Sequence, residues 1–128
     1  MFRMMADVFE EPARPLSDAY VESLLARPAF WAIAALDGDE VVGGLTAHTL
    51  PMTRAEVSEV FLYDLAVRTD RQREGIGRRL VTELREAAAA ADIAVMFVPA
   101  DDEDVHALDF YRALGGTPAK VTIFTFEG

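Results

Sequence analysis

Apolar and polar positions along this chain fall into short runs with two distinct periods. Phe30 to Leu36 is a continuous apolar run, Val41 to Thr49 follows as its partner, and Ser58 to Val67 is a third stretch rich in β-formers. Between the first two, Asp37-Gly38-Asp39-Glu40 is a hairpin turn signal. Gly43-Gly44 inside the second run marks a bulge or a close backbone approach, and Pro51 ends it. Ile93 to Val98 is apolar throughout, as expected of a strand in the middle of a sheet. Val121 to Phe126 reads as a last strand.

Three other stretches repeat at helical spacing. Leu16, Tyr20 and Leu24 recur over residues 16–27, with Ser17 or Asp18 as N-cap and Pro28 as the stop. Over Gly77–Ala91, residues Leu80, Leu84, Ala87, Ala88 and Ala91 form an apolar face, with Arg79, Glu83, Arg85 and Glu86 outside. Val105 to Leu114 is a third helix, closed by Gly115-Gly116. The first fifteen residues, MFRMMADVFEEPARP, read as irregular or helical. The order predicts an α/β fold: a mixed, mainly antiparallel sheet flanked by helices, with a right-handed parallel crossover between 58 and 98. The length suits one domain over residues 1–128.

Composition narrows the function. No apolar run approaches 18 residues, so no membrane span is expected, and the N-terminus lacks the apolar core of a secretory signal. Cysteine is absent, which excludes disulfides, thiolate metal sites and a cysteine nucleophile and fits a cytoplasmic location. His48 and His106 lack metal-ligand spacing, so no metal is expected. The net charge of −10 disfavours nucleic acid, whose phosphates need a basic stripe, and suits a cationic substrate. The arginines cluster instead at Arg68, Arg71, Arg73, Arg78 and Arg79.

That cluster surrounds the most informative stretch, FLYDLAVRTDRQREGIGRRL at 61–80. An apolar strand ends in a polar turn, Gln72-Arg73-Glu74-Gly75-Ile76-Gly77 follows, and a helix begins at once. A strand, a glycine-bearing loop and a helix N-terminus together aim backbone N–H groups and the positive end of a helix dipole at one spot, which suits a phosphate. A P-loop would need Lys-Ser/Thr after its second glycine, where Arg78-Arg79 stand. A dinucleotide fingerprint would need a third glycine, where Leu80 stands.

The pattern Q/R-x-x-G-x-G/A after a strand ending in Leu65-Ala66-Val67 resembles the acetyl-CoA loop of the Gcn5-related N-acetyltransferase (GNAT) superfamily. Ala107 to Gly115 resembles that superfamily's A-x-x-x-Y-x-x-L-G signature. Leu50-Pro51, the run Ser58–Val67, the strand and carboxylates over 94–104, and Phe110 to Gly116 are similar to the type I, gentamicin-modifying aminoglycoside 3-N-acetyltransferases. The resemblance implies a GNAT fold without its usual N-terminal strand, and acetyl-CoA as acetyl donor. It further implies pantetheine on the backbone of Leu65, Ala66 and Val67, and pyrophosphate on the amides of Gln72, Arg73, Glu74, Gly75, Ile76 and Gly77 with Arg78. Tyr111 is implied near the cofactor sulfur, as the acid for the leaving thiolate. The implied reaction is acetylation of an aminoglycoside amine, at the 3-amino group, by direct transfer in a ternary complex. Another cationic amine, such as a polyamine or a lysine, and a non-catalytic CoA-binding module are the alternatives.

Asp64 is a carboxylate inside an apolar strand, an expensive placement unless it is paired or used. Simple alternation puts Asp64 with Val60, Leu62 and Ala66 on one face and Glu59 with Phe61, Tyr63 and Leu65 on the other, unless a bulge changes the parity. Acidic residues on this strand bind or deprotonate the amine in similar enzymes, so Asp64 is the first catalytic candidate and Glu59 the second. Asp101, Asp102 and Asp104 have two compatible readings, as caps of the following helix or as an acidic wall for a polycation. The absent first strand leaves a sheet edge open, which favours a homodimer.

Overall fold

The structure is a computed structural model that describes residues 1–10 and 15–128. Residues 11–14 of the N-terminal stretch lie outside the described residues. Its elements in chain order are α1 (Phe2–Val8), α2 (Asp18–Leu25), β1 (Phe30–Asp37), β2 (Glu40–Pro51), β3 (Ser58–Val67), α3 (Ile76–Ala90), β4 (Val95–Phe97) and α4 (Val105–Ala113). A single 3-10 turn, Thr69–Arg71, lies between β3 and α3.

The strands form one sheet in the order β1-β2-β3-β4. The first three run antiparallel and β4 joins β3 in parallel. The β1–β2 connection is the predicted tight turn at Gly38-Asp39. Helix starts follow the side chains: the Ser17 hydroxyl accepts the Tyr20 amide at 3.1 Å, and Asp104 accepts the Ala107 amide at 3.0 Å. At the other end of α4, the amides of Gly115 and Gly116 donate to the carbonyls of Arg112 and Tyr111, which is a Schellman closure.

The core lies between the sheet and α3. Leu45, Ala47, Val60 and Leu62 from the sheet meet Leu80, Val81, Leu84 and Ala88 from the helix, and Phe110 and Leu114 of α4 pack at its margin. α1 covers part of the opposite face. The pair Gly43-Gly44 shows why both layers come so close. A Cβ at Gly43 would lie 2.9 Å from Ile76 on the α3 side, and one at Gly44 would lie 2.5 Å from Met1 on the α1 side.

Three expectations need correction. First, alternation along β3 breaks. Ala47 pairs with Leu62 and Thr46 with Asp64, so Tyr63 is an extra residue bulged out of the ladder. Beyond the bulge the faces exchange. Asp64 and Ala66 join Glu59 and Phe61 on the α1 side, while Leu65 turns with Val60 and Leu62 toward α3. Second, the central strand expected over 93–98 shortens to Val95–Phe97, and it is an edge strand with Val95 and Phe97 exposed. Third, Val121–Phe126 forms no strand, because no ladder partner lies beside it.

Candidate active site

β3 and β4 pair only at Glu59–Val95, Val60–Met96 and Phe61–Phe97. From Leu62 to Val67, the bulged Tyr63 apart, β3 keeps its β2 partners but has no ladder partner on the other side among the described residues. The two parallel strands therefore part beyond Phe61, and main-chain groups of Leu65, Ala66 and Val67 border the opening. Backbone N–H and C=O groups left without a ladder partner are ready hydrogen-bonding sites for an extended ligand.

The chain leaves β3 through a turn that places the N-terminus of α3 beyond this opening. Gly75 is its N-cap in the left-handed region at φ 83°, where a Cβ would be strained, and Arg73 is left-handed as well. No side chain caps the helix and its first turn has no acidic residue. The first intrahelical bond joins Arg79 N–H to Gly75 O, so the amides of Ile76, Gly77 and Arg78 precede the helical ladder. An uncapped start on a fifteen-residue helix is suited to an anion. Gly77 serves a different purpose. A Cβ there would sit 3.3 Å from the Phe110 ring, so this glycine lets α3 and α4 pack closely. The Ile76 side chain likewise packs against the core.

The arginine cluster divides into two groups. Arg68 bridges Asp70 at 2.6 Å and Glu40 at 3.3 Å, and Arg71 bridges Asp37 at 2.8 Å and Glu74 at 3.0 Å. The flanking carboxylates raise both guanidinium pKa values, and Arg68 in turn lowers that of Asp70. These two arginines fasten the turn to the tip of the β1–β2 hairpin and are already neutralised. Gln72 also works within the protein, donating to the Val67 carbonyl at 3.1 Å. Arg73 and Arg78 are exposed and form no ion pair among the described residues.

On the sheet face opposite α3, each strand contributes an aromatic ring, and β3 contributes two. Phe30 meets His48 at 5.3 Å, and Phe61 meets Phe97 at 4.9 Å. The bulged Tyr63 touches both His48 and Phe61 at 5.6 Å and is 60% exposed. Glu59 precedes this row along β3 and Asp64 follows it, on the same face. The structure thus brings both candidate carboxylates beside an exposed aromatic surface. Sequence inspection missed His48 and the row, because the row exists only once the strand register is known.

Tyr111 lies half-buried on α4, against Phe110 at 5.1 Å. Burial, and then the negative charge of Asp104, raise its phenol pKa above the ordinary value. Of the acidic loop, Asp104 caps α4 and Asp101 accepts the Glu103 amide at 2.9 Å, while Asp102 is exposed. A groove of about 580 Å³ lies between α1 and the β3–α3 turn, lined by Arg3, Asp7, Arg68 and Asp70. It includes none of the candidate carboxylates. Among the described residues no helix is long and apolar enough to cross a membrane, and no cluster of His, Cys, Asp or Glu could hold a metal ion.

A strand that parts from its parallel neighbour above an uncapped helix start defines a class of fold, and comparison with known proteins assigns it. The profile of the acetyltransferase (GNAT) family matches residues 1–115. The chain belongs to this family. Its structure superposes on the aminoglycoside acetyltransferase meta-AAC0020 from an uncultured soil metagenomic sample, determined with trehalose and with sisomicin. The TM-score is 0.91 at 32% identity, over 99% of this chain and 84% of that one. The aminoglycoside acetyltransferase HMB0005, also from soil metagenomic DNA, gives a TM-score of 0.90 at 36% identity, over 98% and 86% of the two chains. The enzyme AAC(6')-Iy, solved with a CoA bisubstrate analogue, shares the fold with a TM-score of 0.80 at 17% identity, over 96% of this chain and 86% of that one. No curated protein matches the chain.

Proposed function

We propose that this acetyltransferase transfers the acetyl group of acetyl-CoA to an amino group of an aminoglycoside, directly within a ternary complex. The observation that carries the reading is the parting of β3 from β4 beyond Phe61, above the uncapped start of α3. A thioester arm fits an opening bordered by main-chain groups of β3 that have no β4 partner, the Val67 carbonyl already accepting from Gln72. A diphosphate fits the amides of Gln72, Arg73, Glu74, Gly75, Ile76 and Gly77, with Arg73 and Arg78 as the available cations. The likeness to two aminoglycoside acetyltransferases at 32% and 36% identity supports the acceptor class. The 3-amino group of the deoxystreptamine ring is the acceptor atom that the type I resemblance supports.

The roles follow from the chemistry. The acceptor amine is protonated at neutral pH and must lose a proton before it attacks. Asp64 or Glu59 takes that proton, and the pair holds the cationic acceptor against Tyr63. The amine nitrogen then bonds to the acetyl carbon, and the backbone N–H of Ala66 or Val67 donates to the developing oxyanion. As the carbon–sulfur bond breaks, the Tyr111 phenol gives its proton to the thiolate, a task that suits a phenol kept neutral by burial, and the second proton shed by the nitrogen leaves through solvent and restores the phenol. Asp102 adds negative charge that gathers a polycation, while Asp101 and Asp104 combine that charge with their bonds to the backbone.

The test is thiol release from acetyl-CoA with gentamicin, spermidine and a lysine peptide in parallel. Turnover greatest with gentamicin supports the proposal. Turnover greatest with spermidine or the peptide shifts the acceptor class, and coenzyme A binding without turnover of any amine overturns the enzymatic reading.

A further inference from the structure

The aromatic row crosses the sheet in register. Phe30 pairs with His48, His48 with Phe61 and Phe61 with Phe97, and the bulged Tyr63 touches the two central members. The phenylalanines of this row offer a ligand only ring faces and edges. His48 differs, and the proposed reaction makes no use of it. Its imidazole is half-buried, held by Phe30 at 5.3 Å and edge-to-face by Tyr63 at 5.6 Å. It makes no side-chain hydrogen bond or ion pair among the described residues. No buried side-chain nitrogen or oxygen among those residues lacks a partner, so the His48 nitrogens reach solvent.

The rows on either side carry the two candidate carboxylates. Glu59 pairs with Leu50 in one and Asp64 with Thr46 in the other, so His48 lies between them on the same face. Diagonal neighbours on a sheet face are about 7–8 Å apart, within reach of one bound molecule. We infer that His48 is a specificity residue, which bonds a hydroxyl group of an acceptor whose ammonium groups lie against Glu59 and Asp64. The inference rests on the proposed function, which places a hydroxylated amine on this face. The chemistry of the groups distinguishes their tasks. Carboxylates only accept, so they suit ammonium groups. A hydroxyl both donates and accepts, and a neutral imidazole has one nitrogen for each purpose. Phenylalanine would fill the same place in the row, and what histidine adds is that pair of nitrogens. Ring contacts on two sides hold the imidazole ready, which lowers the ordering cost of binding.

The test compares His48→Phe and His48→Gln in the full chain, with gentamicin, which carries hydroxyl groups, and spermidine, which carries none. Thiol release gives kcat and KM, calorimetry without acetyl-CoA gives Kd, and thermal melts follow the fold. His48→Phe is expected to raise KM and Kd for gentamicin by about 3–10-fold, the worth of one hydrogen bond, with kcat and the melt retained. The Kd of spermidine should not move. His48→Gln restores a donor and an acceptor and should recover most of the loss. A gentamicin Kd indifferent to His48→Phe overturns the inference. An equal loss for spermidine, a fall in kcat alone, no recovery in His48→Gln, or a lowered melt also overturns it. Gentamicin binding that depends on His48, with no turnover of any amine, defeats the enzymatic reading and keeps the role of His48. Gentamicin turnover that ignores His48 does the reverse, and a protein that neither binds nor acetylates gentamicin defeats both.

Discussion

Glu59 and Asp64 are separated by an odd number of positions on β3, yet they occupy the same face, because Tyr63 is bulged out of the ladder between them. Two carboxylates are thereby placed on either side of an exposed aromatic ring, on a strand whose far end is open. The bulge, more than either acid alone, makes the strand suitable for holding an amine.

Asp64→Asn is expected to lower kcat by about 10²–10⁴-fold if Asp64 accepts the proton, the usual range for a positioned base. Glu59→Gln is expected to act mainly on the Michaelis constant for the acceptor. Steady-state thiol release with each variant separates the two. An unchanged kcat in Asp64→Asn together with a collapsed kcat in Glu59→Gln would reverse the assignment.

Tyr111 predicts a distinct pH dependence. Its pKa is raised from 10.0, so the phenol is still protonated at pH values where an exposed tyrosine has ionised. The alkaline fall in rate should lie at higher pH than an ordinary tyrosine would give, and Tyr111→Phe should lower kcat and remove that alkaline limb. The stability term has the same sign. A neutral form favoured by folding contributes fully below the unfolded value near 10 and is lost as pH rises through the folded value. Asp104→Asn should bring the limb to lower pH, because a charge that opposes ionisation is removed, while Asp104→Ala should in addition weaken the cap of α4 by about 1 kcal/mol. A pH–rate profile and thermal melts check both effects.

Gly77→Ala should destabilise the protein by about 1–3 kcal/mol, the usual range for overpacking. The new Cβ would press on Phe110 at 3.3 Å. Combined with Phe110→Leu, the loss should be less than the sum of the single changes, since the smaller side chain opens the contact. Denaturant unfolding of the four proteins measures the coupling. Additivity would mean that α3 and α4 do not meet through this pair.

Ionic strength should raise the apparent Michaelis constant for a polycationic acceptor, because salt screens the exposed carboxylates that gather it. Tyr63→Ala should raise the same constant with little salt dependence of its own, since an aromatic contact is lost instead of a charge. Titration of activity between low and high salt distinguishes the two contributions.

Much of the framework was legible from sequence, for local reasons. Ser17 and Asp104 cap their helices, Gly115-Gly116 close α4, and Gly38 turns the hairpin; each is a side-chain preference acting over a few residues. The bulge at Tyr63 was foreseen only as a general possibility, and it reversed the predicted partner set of Asp64. Parity along a strand is a local property, but a bulge is set by the opposing strand. The fate of Val121–Phe126 and the pairing of Arg68 and Arg71 were likewise hidden, since both depend on what lies far away in the sequence. The strip from Phe30 to Phe97 needed all four strands in register before it existed.

The two ion pairs that Arg68 and Arg71 make with Glu40 and Asp37 have a consequence for evolution and for engineering. They rivet the tip of the β1–β2 hairpin to the bend that precedes α3. A resized tip would therefore not remain a remote, silent alteration: its displacement would travel along those rivets and reset the aim of the amides beyond them.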